Sequence, residues 1–112
     1  MGIEPKIWGP PQWFVMHLRT FNYPEKPTFK DKVEIKKYFI SVGRTLPCES
    51  CRAKYFQKIK KHPIDQNLHN RRDLVCWLID IHNMVNKELH KPVLHYEKVI
   101  QLYSAYLNPK DN

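Results

Sequence analysis

Apolar side chains recur along this chain at intervals of three and four, the spacing that lines them up on one face of a helix. Trp13, Phe14, His17 and Leu18 follow Pro10-Pro11, which predicts a helix opened by the prolines and stopped by Tyr23-Pro24. Thr28 with Asp31 reads as an N-cap pair, and Val33, Ile35, Phe39, Val42 and Leu46 form the stripe behind it. Pro47 opens a third helix carrying Cys48, Cys51, Tyr55, Phe56 and Ile59, closed by His62-Pro63. Asn70 with Asp73 caps a fourth, with Leu74, Trp77, Leu78, Ile81, Val85 and Leu89 as its buried face and Pro92 as its end. Val99, Leu102, Tyr103 and Tyr106 predict a last helix before Asn108-Pro109. No stretch alternates in the manner of a strand. Five helices with short connections read as a small all-α bundle, in a single domain spanning residues 1–112.

Composition changes this picture little. With 42% hydrophobic and 27% charged residues the chain is globular, and no apolar run is long enough to span a membrane. The start of the chain lacks a basic stretch followed by an apolar run, so a signal peptide is not expected. The formal net charge of +8 invites a nucleic-acid reading. Its lysines, however, alternate with apolar positions, as in Lys30–Lys37 and Lys54–Lys61, which is the pattern of a solvated helix face. Neither nucleic acid nor a membrane is expected as a partner.

The chemistry is concentrated elsewhere. Cys48-Glu49-Ser50-Cys51 places two thiols three positions apart beside a predicted helix start, where unpaired N–H groups and the helix dipole stabilise a thiolate. Cys76 is the only other cysteine, so the pair is a redox centre or half of a metal site. Zinc would need two further ligands, and His82 with His90, His62 with His69, or His90-x4-His95 are the candidates, none at the spacing of a zinc finger. Trp13 and His17 lie one turn apart and could stack on a flat heterocycle and bond its edge, or be an ordinary core pair. His82, Asn83, Asn86 and His90 border the apolar stripe of the fourth helix. Amides and imidazoles so placed need partners, either one another and the backbone or a polar ligand. Lys87 and Lys91 could set a cation beside a pyrophosphate.

Taken in order, Trp8-Gly9-Pro10-x-x-Trp13-x-x-x-His17, Tyr23-Pro24, Leu46-Pro47-Cys48-x-x-Cys51-Arg52, His62-Pro63, Trp77-Leu78 and His82-Asn83-x-Val85-Asn86-x-x-Leu89-x-Lys91-Pro92 resemble the FAD-linked sulfhydryl oxidases of the Erv/ALR type. The likeness covers roughly residues 8 to 103. It implies a four-helix bundle plus a short fifth helix, with FAD at the bundle mouth. It implies that Cys51 lies against the isoalloxazine and that Cys48 exchanges with substrate, with the helix N-terminus, and Arg52 beside it, stabilising the Cys51 thiolate against the opposing charge of Glu49. Gly9, Trp13, His17, Tyr23, His82, Asn83, Asn86, Leu89, Lys91 and Tyr103 fall at cofactor-binding positions, and no metal is implied. The implied activity forms disulfides in protein substrates and passes electrons through the CxxC pair and FAD to O2, giving hydrogen peroxide. A non-catalytic zinc-binding interaction module is the alternative.

The resemblance further implies a homodimer through the first two helices, and a thiol-containing protein or thioredoxin-like carrier as partner. There is no second CxxC, so a partner would reach Cys48 directly. Ile59 and Ile79 stand where some relatives have a disulfide, which implies apolar packing between the third and fourth helices. Cys76 reads as a small buried hydrophobe. The absence of a further CxxC and the Lys/Asn/Ile-rich composition resemble members from large DNA viruses, which implies host cytoplasm or virion; the mitochondrial intermembrane space is the alternative.

Overall fold

The computed structural model describes residues 2–107. Five helices run in order: α1 (Pro5–Phe21), α2 (Phe29–Thr45), α3 (Glu49–Lys61), α4 (Arg71–Glu88) and α5 (Tyr96–Ser104), with a 3-10 turn over Ile64–Asn67 between α3 and α4. The all-α expectation holds. α1 packs most extensively on α4, α2 packs on α3, and α5 closes against α1 and α4. Among the described residues no helix is long and apolar enough to cross a membrane.

The caps explain most boundaries. Thr28 Oγ1 accepts the Asp31 N–H at 3.1 Å while Asp31 Oδ2 accepts the Thr28 N–H at 2.8 Å, a complete capping box. Asn70 Oδ1 accepts the Asp73 N–H at 2.8 Å and starts α4. Two starts differ from expectation. α1 begins at Pro5, and Pro10 and Pro11 lie inside it. Both are exposed, as are Lys6 and Ile7, whose carbonyls lose their helical donors, so water can take the vacated acceptors. α3 begins at Glu49 with Cys48, not Pro47, at its cap.

The main core joins Met16 and Tyr23 to Phe39 and Val42 of α2, Tyr55 of α3 and the Leu74/Trp77/Leu78/Ile81 stripe of α4. Trp77 is 1% exposed and its indole N–H donates to the His62 carbonyl at 2.8 Å, which satisfies its polar edge in the core. A second cluster of Phe21, Val75, Ile79 and Val99 docks α5. Ile59 packs on the first cluster and Ile79 on the second, so the two do not substitute for a covalent staple between α3 and α4. Instead, Lys58, buried in α3, reaches Glu88 of α4 at 2.5 Å. Leu89, Leu102 and Tyr106, expected on buried faces, are each more than half exposed. Tyr106 nonetheless meets Phe14 edge-on at 5.8 Å.

Gly43 shows how tightly α2 and α3 approach. A Cβ there would stand 2.5 Å from the Tyr55 ring, whose hydroxyl donates to the Phe39 carbonyl at 2.8 Å. Gly43→Ala is therefore expected to destabilise the fold by about 1–3 kcal/mol despite alanine's better helix propensity. Urea unfolding measures this; a stabilised variant would show that Tyr55 can yield freely.

Candidate redox site

Cys48 and Cys51 are joined as a disulfide across the first turn of α3. The chain enters this turn from Leu46, which is buried, and the Cys48 backbone is extended, with φ −161° and ψ 116°. That conformation makes Cys48 the N-cap, and its Sγ accepts the Cys51 N–H at 3.3 Å. The cap hydrogen bond therefore goes to Cys48, while Cys51 stands third in the same first turn. Arg52 donates from its guanidinium to the Leu46 carbonyl at 2.6 Å. The two sulfurs differ in surroundings. Cys51 packs against the main core, which Trp13 also borders, whereas Cys48 lines an open cleft beside Ser50, whose Oγ is 3.4 Å from Cys48 Sγ.

The polar residues of α1 and α4 form one aromatic assembly. Trp13 stacks on His82 with ring centroids 3.8 Å apart and planes 4° from parallel. His17 is 2% exposed, and its Nε2 shares a 2.9 Å hydrogen bond with His82 Nδ1. Tyr103 of α5 meets His17 at 5.3 Å and stacks on Phe21. Burial first, and then the neighbouring His82, hold His17 down to about 3; burial and the Lys91 cation hold His82 to about 4. Both imidazoles are neutral at physiological pH. His17 Nδ1 has no partner, and it is the lone such buried side-chain atom among the described residues. An unpaired buried nitrogen costs about 1–3 kcal/mol. Phe14, absent from the sequence-based candidates, joins this assembly at 5.9 Å from Tyr103. Its spacing from His17 and Phe21 on α1, three and seven residues, was the available signal.

Both asparagines have backbone partners. Asn83 pairs its amide with Leu94, donating to the carbonyl at 2.9 Å and accepting the N–H at 2.7 Å. Asn86, buried, donates to the Pro92 carbonyl at 3.2 Å. His90 does not continue the helical face. It leaves the helix at φ 58°, and the His90→Lys87 and Lys91→Asn86 backbone bonds, 3.2 and 2.7 Å, close a Schellman turn. The turn folds residues 91–94 back along α4, and the two amides latch them there. This carries the exposed Lys91 to within electrostatic reach of His82.

Gly9 is half-buried, and a Cβ on it would meet nothing within 4 Å. Tyr23 is a core residue whose hydroxyl donates to the Leu68 carbonyl at 2.6 Å. Leu89, the C-cap of α4, is 55% exposed. Cys76 is free and half-buried rather than buried, and its environment includes Arg72, Asp73 and Asp80. For the zinc alternative, the described residues contain no group of three or more His, Cys, Asp or Glu able to hold a metal ion. His62 is instead bonded to Asp80 at 3.1 Å and His69 to Asp73.

Comparison with known proteins agrees with this geometry. A probable FAD-linked sulfhydryl oxidase of Acanthamoeba polyphaga mimivirus is 38% identical over 96% of this chain and 76% of its own length. The FAD-linked sulfhydryl oxidase of African swine fever virus (Kenya isolate) is 31% identical over 86% of this chain and 79% of its own. The crystal structure of the FAD-binding domain of Erv1 from Saccharomyces cerevisiae superposes with a TM-score of 0.86, covering 95% of this chain and 99% of that one at 24% identity, which confirms the helical fold. The Erv1/Alr family model matches residues 10–104, a span that takes in the Cys48–Cys51 disulfide, the Trp13–His82 stack and the latched turn after α4, and the chain belongs to that family.

Proposed function

We propose that this chain is an FAD-linked sulfhydryl oxidase that forms disulfides in thiol-containing proteins through Cys48 and Cys51. The observation that carries the reading is the disulfide whose outer sulfur faces a cleft and whose inner sulfur packs on the core that Trp13 also borders. The relatives at 38% and 31% identity bear the same activity in their names.

The residues fit a flavin dinucleotide. The orphaned His17 Nδ1 asks for a polar partner that the chain does not supply, and flat rings at Trp13, His82 and Tyr103 offer stacking surface. In this reading Trp13, His17, His82 and Tyr103 contact the cofactor directly, and Lys91 supplies a cation to its pyrophosphate. Nothing in the chain's own packing reserves the space over Gly9, which suits a ligand surface there. Asn83, Asn86 and Leu89 hold the turn that carries Lys91, and Tyr23 shapes the core beneath. When bound, FAD takes the electron pair from the reduced cysteines and passes it to O2, giving hydrogen peroxide.

The protein's own steps follow from the asymmetry of the pair. A substrate thiolate attacks Cys48 Sγ, forms a mixed disulfide there, and displaces Cys51 as the thiolate. A second substrate thiolate then attacks the substrate sulfur of that mixed disulfide and displaces Cys48. Two electrons and two protons leave the substrate dithiol, and the pair ends reduced. The Cys51 N–H stabilises Cys48 as it departs in this second step. The neutral His17–His82 pair places no fixed cation of its own in the assembly.

A homodimer through α1 and α2 is part of the proposal, supported by Ile7, Phe14 and Val15 on α1 and Phe29 on α2, all exposed. Relatives from mimivirus, African swine fever virus and an invertebrate iridescent virus support a viral source, with host cytoplasm or virion as its location. The Saccharomyces relative is named as mitochondrial, which keeps the intermembrane space as the second location. Purified protein should be yellow, oxidise dithiothreitol, and release one peroxide per disulfide formed. A colourless protein that neither retains added FAD nor oxidises the dithiol would overturn the reading.

A further inference from the structure

The segment before α1 lies directly on the active disulfide. Gly2 pairs in an antiparallel bridge with Cys48, and the Ile3 N–H donates to the Pro47 carbonyl at 2.7 Å. Trp8 clamps the segment from α1, its indole N–H donating to the Ile3 carbonyl at 2.8 Å, while its ring packs on the main core. Only glycine fits at the bridge. Gly2 has φ 145°, and a Cβ there would stand 2.5 Å from the Pro47 carbonyl oxygen and 3.0 Å from Cys48 Cα. Gly2–Pro5 thus forms one wall of a cleft of about 650 Å³, and Cys48, Glu49, Ser50 and Ala53 form the other. That volume accepts a short stretch of polypeptide.

The lining is informative. Ile3 is 54% exposed and, with Pro5 and Ala53, offers an apolar surface to a partner. Among the described residues that line the cleft the charges are both carboxylates, Glu4 and Glu49, although the whole chain carries +8. Lys6 engages Glu4 at 3.3 Å, while Glu49 has no cationic partner among the described residues. An attacking sulfur must approach Cys48 Sγ roughly in line with the S–S bond, from the side away from Cys51. The cleft opens on Cys48, and Ile3 and Glu49 line it on either side.

We propose that the Gly2–Pro5 strap and the first turn of α3 form the substrate-docking cleft, and that it selects an extended cysteine-bearing segment with a basic residue beside the cysteine. This rests on the thiol oxidase reading and names its substrate class. Glu49 supplies the charge preference and Ile3 the apolar contact; both are positioning residues. An exposed carboxylate acting on a cation about 6 Å away gives a several-fold effect that fades with added salt.

The test isolates docking from turnover. In a Cys51→Ser, Cys76→Ser background, Cys48 is challenged with short cysteine peptides activated as 2-thiopyridyl disulfides. Cys48 thiolate attacks the peptide sulfur, a peptide–Cys48 disulfide forms, and thiopyridone leaves and is read by absorbance. A lysine-flanked peptide should react roughly five-fold faster than a glutamate-flanked one at low salt. Glu49→Lys should reverse that order. Gly2→Val, which cannot keep the bridge, and Ile3→Pro, which removes the donor to Pro47, should each slow the peptides several-fold relative to activated mercaptoethanol. Equal rates for the two peptides, or strap variants that leave the peptide-to-mercaptoethanol ratio unchanged, would overturn the proposal. Failure of the unmodified protein to hold flavin or oxidise dithiothreitol would instead overturn the activity on which it rests, and is read in a separate assay.

Discussion

Cys51→Ser is expected to retain the cofactor and lose dithiol oxidation by a factor on the order of 10³ or more, because the two sulfurs act as one unit. The variant keeps Cys48 as a free thiol, so when offered a substrate protein in its disulfide form the Cys48 thiolate should attack one sulfur, release the other as a thiolate, and hold a mixed disulfide that no Cys51 thiol is present to resolve. Cys48→Ser should also be inactive, yet form no such adduct, because Cys51 packs against the core instead of lining the cleft. The pair of variants also separates the thiols by reactivity. Cys48 keeps the N-cap position and the Cys51 N–H, so its thiolate is favoured. Alkylation near neutral pH should therefore be faster for Cys48 in Cys51→Ser than for Cys51 in Cys48→Ser. The opposite order would return the helix-terminus stabilisation to Cys51 and undo the role given to the cap. Retained peroxide production by Cys51→Ser would remove the assigned electron path altogether.

That assignment illustrates which features a sequence can carry. The caps at Thr28 and Asn70 are local and spacing alone exposes them; the closeness of Cys48 to Cys51 is local too, although spacing leaves redox and metal chemistry both open. Which sulfur the helix end serves depends on where the helix starts, to within one residue. Pro47 as the first helical residue would put Cys48 inside α3; the extended backbone at Cys48 makes it the cap instead. Element boundaries decide chemistry here, and they are the least local part of the pattern.

The α4 motif shows a second limit. His82, Asn83, Asn86 and His90 share polarity and spacing, so they look like one ligand-facing set. In three dimensions they divide. His82 enters the aromatic assembly, the two amides latch a turn, and His90 supplies its left-handed residue. An asparagine satisfied by backbone eleven residues away is indistinguishable in sequence from one awaiting a ligand, because the return of the chain is a tertiary event. The strap at Gly2 was invisible for the same reason. Its glycine is required by a carbonyl forty-five positions later, and no local turn signal marks it.

His17 provides the sharpest separation of stability from function. Burial keeps its imidazole neutral down to about 3, whereas an unfolded chain takes up the proton near 6.5. Between those values the unfolded state binds more protons, so stability is fully present above pH 6.5 and falls as the pH drops toward 3. Between pH 6.5 and about pH 4 the loss on this account is on the order of 3 kcal/mol for a side chain so deeply buried. His17→Leu removes the titrating group and the unpartnered Nδ1 together, in a side chain of comparable volume. Urea unfolding of the flavin-free variant should show a clearly shallower loss of stability between pH 7 and pH 4. The loss will not vanish, because His82, held to about 4, keeps its own share. Loaded protein should respond in the opposite sense: at pH 7 His17→Leu is expected to lose most of its flavin on gel filtration, read from the flavin-to-protein absorbance ratio. An unchanged pH slope would show that His17 is protonated in the folded state. Full flavin retention beside a flattened slope would mean that Nδ1 has no partner in the loaded protein either, and that His17 is there to orient His82 against Trp13.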